Sequence, residues 1–179
     1  MNVSTDRRTS LYEAIPELDT PRYVLGDVAA AANVNPGTLK AWLSREPRVV
    51  PLGAHDRPGR GKGTPRLFTL RRVYAIAITA ELVSLGFVAS KAGVLAFDFT
   101  DMSTDGGERL VEKSGPLFLA ANPTHDLFAW FLSGDIQLDL VLGKEATTQL
   151  KVPLVSCTLI DCAALMARVQ TVLKKRGAT

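Results

Sequence analysis

The stretch 23–86 constrains the fold of this 179-residue chain more than any other, because two short helices are predicted to meet there at a tight turn. The second helix has a strong start signal at Asn35 and Pro36. The side chain of Asn35 can accept a hydrogen bond from a free N–H group of the first helical turn, and Pro36 has a fixed φ angle that suits the first helical position. The sequence therefore predicts a helix-turn-helix pair, with its first helix over about 25–32.

The second helix of the pair, over 35–44, has two different sides. A spacing of three and four residues places Leu39, Trp42 and Leu43 on one buried stripe. The other side carries small and polar residues around one lysine, which suits a DNA groove about 12 Å wide. Taken alone, the pair is equally compatible with two core helices of any small α domain. The candidate DNA-contacting residues on and just after this helix are Asn35, Gly37, Thr38, Lys40, Ala41, Ser44 and Arg45.

Positive charge is concentrated directly after this pair. Eight basic residues between Arg45 and Arg72 stand against two acidic residues, which gives 8 − 2 = +6, whereas the whole chain has a net charge of +3. Segment 56–66 has three glycines and two prolines. It is therefore expected to form a turn between an approaching strand and a returning strand over 66–69. A run of charge is usually a solvated surface, but this position and this glycine content favour contact with DNA. Such a loop is a wing, whose cations neutralise phosphates or enter a minor groove. The candidate wing residues within 55–68 are Arg57, Arg60, Lys62 and Arg66.

The next helix is predicted to begin after a cap at Thr69 and to end at Gly86. Its buried stripe is expected to contain Val73, Ile76, Ala77, Ala80 and Val83. Another short helix is expected to follow Phe87 and to end near Leu95.

The order of these elements resembles the DNA-binding domain of the MerR family of transcription regulators over about 22–96. The matching motifs are Tyr23 with Leu25-Gly26-Asp27-Val28-Ala29, the Asn35 cap with Thr38-Leu39-Lys40 and Trp42, the Arg66-Leu67-Phe68-Thr69 step and the Leu85-Gly86-Phe87 step. The resemblance implies that Lys40 takes the place of a phosphate-contacting arginine and that Arg57, Arg60 and Lys62 hold the DNA backbone. This chain departs from the family at Ala41, where a tyrosine is common, and in the length of the wing.

The rest of the chain divides by composition into three parts. Residues 1–21 are expected to be a flexible polar arm without a signal-peptide core, and residues 97–109 a linker of loop composition. The MerR family has a long dimerisation helix where this linker lies, so a dimer of this chain must use other parts. Residues 110–179 predict a small antiparallel sheet with a helix against one face, serving dimerisation or binding an effector. The predicted elements are an apolar run over 127–132, strands over 136–142 and 152–160, and a helix over 162–176. The expected fold class is α+β.

Catalytic and metal chemistry are not expected. The sequence has no glycine-rich phosphate loop with its lysine and no nucleophile elbow. The spacing of Cys157 and Cys162 fits no common zinc pattern, so no cofactor or metal is predicted. No run of eighteen apolar residues exists, and the cytoplasm, at the nucleoid, is the expected compartment.

The preferred hypothesis is a sequence-specific transcription regulator that binds double-stranded DNA as a homodimer. RNA polymerase or another regulator is a further candidate partner. One alternative is an excisionase-like or architectural factor that uses the same domain to bend DNA. An alternative of another class is a protein-interaction module whose basic loop meets an acidic partner.

Overall fold

The computed structural model describes residues 16–53, 55–57, 59, 64–102, 117–121, 128–132 and 158–177. The helices are α1 (Pro16–Asp19), α2 (Leu25–Ala31), α3 (Pro36–Ser44), α4 (Leu70–Ser84), α5 (Ala89–Phe97) and α6 (Cys162–Lys175), and a π-helical turn (Asp98–Met102) follows α5. The strands are β1 (Leu117–Ala121), β2 (Phe128–Leu132) and β3 (Thr158–Asp161).

Helix α4 lies at the centre of the hydrophobic core. Its residues from Leu70 to Thr79 are all buried, so the helix is enclosed on nearly every side and does not bury a single stripe. Helices α1, α2, α5 and α6 and the π-helical turn all pack against it. A helix with so much buried surface is stabilised mainly by tertiary packing.

The last helix, α6, is part of this helical core. Its buried residues include Leu165, Val169 and Leu173, and it packs on α2 and α4 as well as on β1. Gln170 Nε2 donates a hydrogen bond of 2.7 Å to the hydroxyl of Tyr74 on α4. The last described helix of the chain therefore shares one hydrophobic core with α2 and α4.

The three described strands are short and antiparallel, in the order β2-β1-β3. The register pairs Leu119 with Trp130 on one side and with Ile160 on the other. These strands have four or five residues each, whereas the described helices make up the body of the molecule.

The predicted α+β class, with a separate sheet-plus-helix module after the winged domain, is wrong, and the protein is mostly helical. The patterns of the second half correctly indicated local elements at β2, β3 and α6, but α6 packs on α2 and α4 as well as on β1. The linker prediction for 97–109 is also corrected in part, because residues 98–102 are π-helical. The predicted strand over 136–142, residues 152–157 of the predicted strand over 152–160 and residues 1–15 of the predicted arm over 1–21 lie outside the described residues. The end of that arm is ordered, because α1 belongs to it and Leu18 and Asp19 are buried. The domain boundaries stay a prediction.

Candidate nucleic-acid interface

Helix α3 begins as the sequence predicts. The φ of 54° at Asn33 reverses the chain after α2, and Val34 then leads into the cap. The side-chain oxygen of Asn35 accepts a hydrogen bond of 2.8 Å from the N–H of Gly37, and Pro36 is the first helical residue. This bond stabilises the start of the helix and uses the side chain of Asn35, which was predicted to contact DNA.

The two sides of α3 are separated as predicted. Leu39, Trp42 and Leu43 are buried against the core. The opposite side is exposed, apart from the partly buried Ala41, and consists of Gly37, Thr38, Lys40 and Ser44, with Arg45 exposed just after the helix. An α-helix with side chains is about 10–12 Å in diameter, so this face has the size and the small side chains that a major groove admits.

The basic segment after α3 forms a loop, which we call the basic loop (55–68), closed by single pairs of backbone residues. Arg57 and Leu67 exchange two hydrogen bonds of 3.0 Å each, and Phe68 is paired with Tyr23 in the same way. Among the described residues of this loop these are isolated bridges, so the approaching and returning chains meet there without forming the strands that the sequence suggested. Residues 58 and 60–63, which include Arg60 and Lys62, lie outside the described residues.

A buried ionic network supports the base of the basic loop. The carboxylate of Asp56 accepts hydrogen bonds from the backbone N–H groups of Gly53 and Thr69 and from the Thr69 hydroxyl. Arg72 donates to the same carboxylate through Nε at 2.9 Å and to Asp101 of the π-helical turn through Nη2 at 2.7 Å. The side chains of Asp56 and Arg72 are 0% and 1% exposed. Such hydrogen bonds to charged groups are among the strongest in proteins.

The segment between α3 and this network is packed directly on α5. A Cβ atom at Gly93 would lie 1.7 Å from the carbonyl oxygen of Val49, so only glycine permits the observed approach of the two backbones. The N–H of Val49 donates to the carbonyl of Trp42 at 3.0 Å. The connection from α3 to the basic loop is therefore held at Val49 by α3 and α5, and at Asp56 by Thr69 and Arg72.

A groove of about 440 Å³ lies between α3 and the basic loop. Lys40 and Ser44 line it from the helix, Thr64 and Arg66 from the loop, and Arg48 from the segment between them. Within the described residues, Lys40, Arg45, Arg57 and Arg66 form no salt bridge, and Arg48 only approaches Glu46 at 3.8 Å on the surface. Lys40 on the helix side and Arg66 on the loop side therefore face the groove without an acidic partner among the described residues.

The charge of the predicted basic stretch divides into two parts in the structure. Arg71 and Arg72 are buried, and both are paired with carboxylates, so they do not add to the positive surface. Arg71 binds both oxygens of Asp19 at 2.7 and 2.8 Å. The two buried arginines cannot be told from the others in the sequence, because their partners are distant in sequence. Arg48 and Thr64 were not among the predicted site residues, although both line the groove.

The described residues contain no group of three or more His, Cys, Asp or Glu side chains arranged to hold a metal ion. Cys162 is buried as the first residue of α6, and Cys157 lies outside the described part. In the portion of the chain that the structure describes, none of the helices has the length and apolar character needed to cross a bilayer.

The sequence was compared with known families and proteins. No protein-family model matches the chain, and no curated protein matches it.

Proposed function

We propose that this protein is a sequence-specific DNA-binding transcription regulator, with α3 docked in the major groove and the basic loop on the adjacent backbone or minor groove. The observation that carries the proposal is the groove between them, which is lined on both sides by cations without described partners. A phosphate backbone is the polyanion that such a pair of surfaces fits.

The arrangement of the two surfaces supports a division of roles. Lys40, Arg45, Arg57 and Arg66 are suited to phosphate contacts, which position a protein on DNA without reading its sequence. Thr38, Ala41 and Ser44 are small residues on the outward or partly outward side of α3, where side chains can reach base edges and thymine methyl groups. Arg60 and Lys62 are proposed to extend the backbone contacts.

The resemblance to the MerR family suggests further features of the proposal. The protein would act as a homodimer on an inverted repeat, with RNA polymerase or another regulator as its partner at the promoter. A location at the nucleoid follows from this role.

The proposal is tested by a salt titration of binding to a duplex of random sequence, followed by fluorescence anisotropy. The double variant Lys40→Ala/Arg66→Ala is expected to weaken binding and to lower the slope of log K against log salt by about two units, because about 0.9 counterion is released for each phosphate neutralised. Lys40→Ala alone is expected to lower the slope by about one unit.

Arg168→Ala is the matched control, because it also removes a positive charge but lies on α6, beside Glu81 at the far end of α4. It should leave the slope unchanged. Equal slopes for the wild type and the double variant would contradict the docking. Binding of an acidic protein without binding of DNA would instead support the protein-interaction alternative.

A further inference from the structure

Arg72 connects two segments that lie far apart in sequence. Its guanidinium binds Asp56 at the base of the basic loop and Asp101 in the π-helical turn after α5. It also lies 5.0 Å from the centre of the Phe97 ring. Gly53 is pressed against the same guanidinium, since a Cβ atom there would be 2.4 Å from Nη2 of Arg72 and 3.0 Å from a carboxylate oxygen of Asp101. The loop base, α4 and the π-helical turn thus meet at one buried cation.

This network is poorly explained by stability alone. Burying ions is costly, and well-packed apolar side chains often replace a buried ion pair without loss of stability. Among the described residues, Nη1 of Arg72 is a buried nitrogen without a hydrogen-bond acceptor, which adds a further cost. An ionic network fixes the geometry between its partners, because each hydrogen bond has a defined direction and length. An apolar contact does not.

We propose that Arg72 and Asp101 are positioning residues of the DNA interface. They hold the base of the basic loop in a fixed position relative to α4 and the π-helical turn, and with it the position of the loop beside α3. This inference rests on the proposed function only in its expected effect on DNA binding. The contacts that join Arg72 to Asp56 and Asp101 are present in the free protein. Displacement of the π-helical turn removes one partner of Arg72 and loosens the loop at Asp56.

Asp101 is the most exposed of the three charged groups in this network. Its side chain is 14% exposed, whereas the side chains of Asp56 and Arg72 are almost fully buried. It lies in the π-helical turn after α5, so its contact with Arg72 can be changed without altering the buried pair of Arg72 and Asp56.

The first test measures hydrogen exchange in the free full-length protein with the variant Asp101→Asn, which keeps the shape of the side chain. The amides of Arg57 and Leu67, which close the basic loop, are expected to exchange about tenfold faster, the effect of weakening one charged hydrogen bond. The amides of Val169 and Leu173 in α6 should not change. Asp98→Asn is the control, because Asp98 lies in the same turn and forms no salt bridge within the described residues.

Three results would overturn the proposal: unchanged exchange in the loop, equally faster exchange in α6, or the same effect from Asp98→Asn. The second result would mean that Asp101 contributes only to overall stability.

The second test adds DNA. Asp101→Asn is expected to lower the salt slope by about one to two units through lost loop contacts, while protection of guanine N7 atoms by α3 in the major groove persists. Loss of both contacts together, or of neither, would contradict a role in positioning the loop. If the wild type itself shows no salt-dependent binding, the proposed function fails, and the hydrogen-exchange result alone decides whether the link exists.

Discussion

Two surfaces of this molecule carry similar side chains and use them differently. On the seam between α6 and the helices beneath it, charged groups are paired: Arg176 with Asp27 at 2.9 Å and Arg168 with Glu81 at 3.3 Å. In the groove between α3 and the basic loop, Lys40 and Arg66 have no such partner among the described residues. The charges of the seam help to fix a helix within the protein, whereas those of the groove are, in the proposed function, available to the phosphates of DNA.

Both surfaces depend on α4, but on different ends of it. The first turn of α4 supplies the buried arginines that hold the loop and α1, while Tyr74 and Glu81 further along contact α6. The position of a charge relative to α4 therefore distinguishes structural arginines from surface ones, although the sequence presents them in one basic stretch.

The largest expected effect comes from Arg72→Ala. It would leave Asp56 buried without its cation, which is expected to lower the free energy of unfolding by about 3–5 kcal/mol. Chemical denaturation measures this loss. Because the network holds the base of the basic loop and, among the described residues, forms no hydrogen bond with α6, hydrogen exchange should increase first in the basic loop. A loss below about 1 kcal/mol would show that water or another group readily replaces the guanidinium.

The next largest loss of stability is expected from two variants that each remove a helix cap. Asn35→Ala and Asp161→Ala each remove a side-chain acceptor that lies 2.8 Å from a backbone N–H, the first at α3 and the second at α6. Each is expected to cost about 1 kcal/mol of stability. Only Asn35→Ala should also weaken binding to DNA, since it loosens the helix that is proposed to enter the major groove. Equal DNA affinities for the two variants, measured at a temperature where both are folded, would remove the distinction between the surfaces.

The stability of the protein is expected to depend on pH through Tyr74, which lies between α4 and α6. Burial raises the pKa of Tyr74 above its usual value of 10.0, and the hydrogen bond from Gln170 partly opposes this. Above about pH 10 the unfolded chain therefore releases this proton more readily than the folded protein, so stability falls as pH rises through that range. Tyr74→Phe should make the fall shallower in denaturation measured from pH 9 to 11. An identical fall in both proteins would refute this role of Tyr74.

The smallest expected effect is that of Arg168→Ala. The ion pair with Glu81 is half-exposed at both ends, and such pairs contribute about 0.2–1 kcal/mol. Thermal denaturation at low and high salt measures it, with a difference that shrinks as salt rises. A loss above about 2 kcal/mol would mean that the seam depends on this pair much more than its exposure implies.

The parts of the fold that the sequence predicted are those determined by neighbouring residues. The predicted caps at Asn35 and Thr69 are confirmed, because each side chain accepts a hydrogen bond from a backbone N–H group only two or three residues away. The helix end at Gly86 is confirmed by its φ of 94°. Local spacing also identified the buried stripe of α3.

The features that the sequence did not reveal depend on distant pairs. Arg71 and Asp19 are 52 residues apart, and Arg72 and Asp101 are 29 apart, so nothing in the local pattern marked these arginines as buried. Gln170 and Tyr74 are 96 residues apart, which is why the docking of α6 on α4 was missed and a separate module was predicted. The approach of Gly93 to Val49 likewise follows only from the packed structure.

The most direct test of the central claim is selection of bound sequences from a pool of random DNA duplexes by the full-length protein, with its oligomeric state measured by light scattering. A sequence-specific regulator predicts enrichment of a defined site, as an inverted repeat if the protein is a homodimer. Binding to that site should be weaker with Lys40→Ala/Arg66→Ala, which removes phosphate contacts, but not with Arg168→Ala. Salt-sensitive binding without enrichment would contradict sequence recognition and support the architectural alternative. No binding at low salt would contradict the proposed DNA interface altogether.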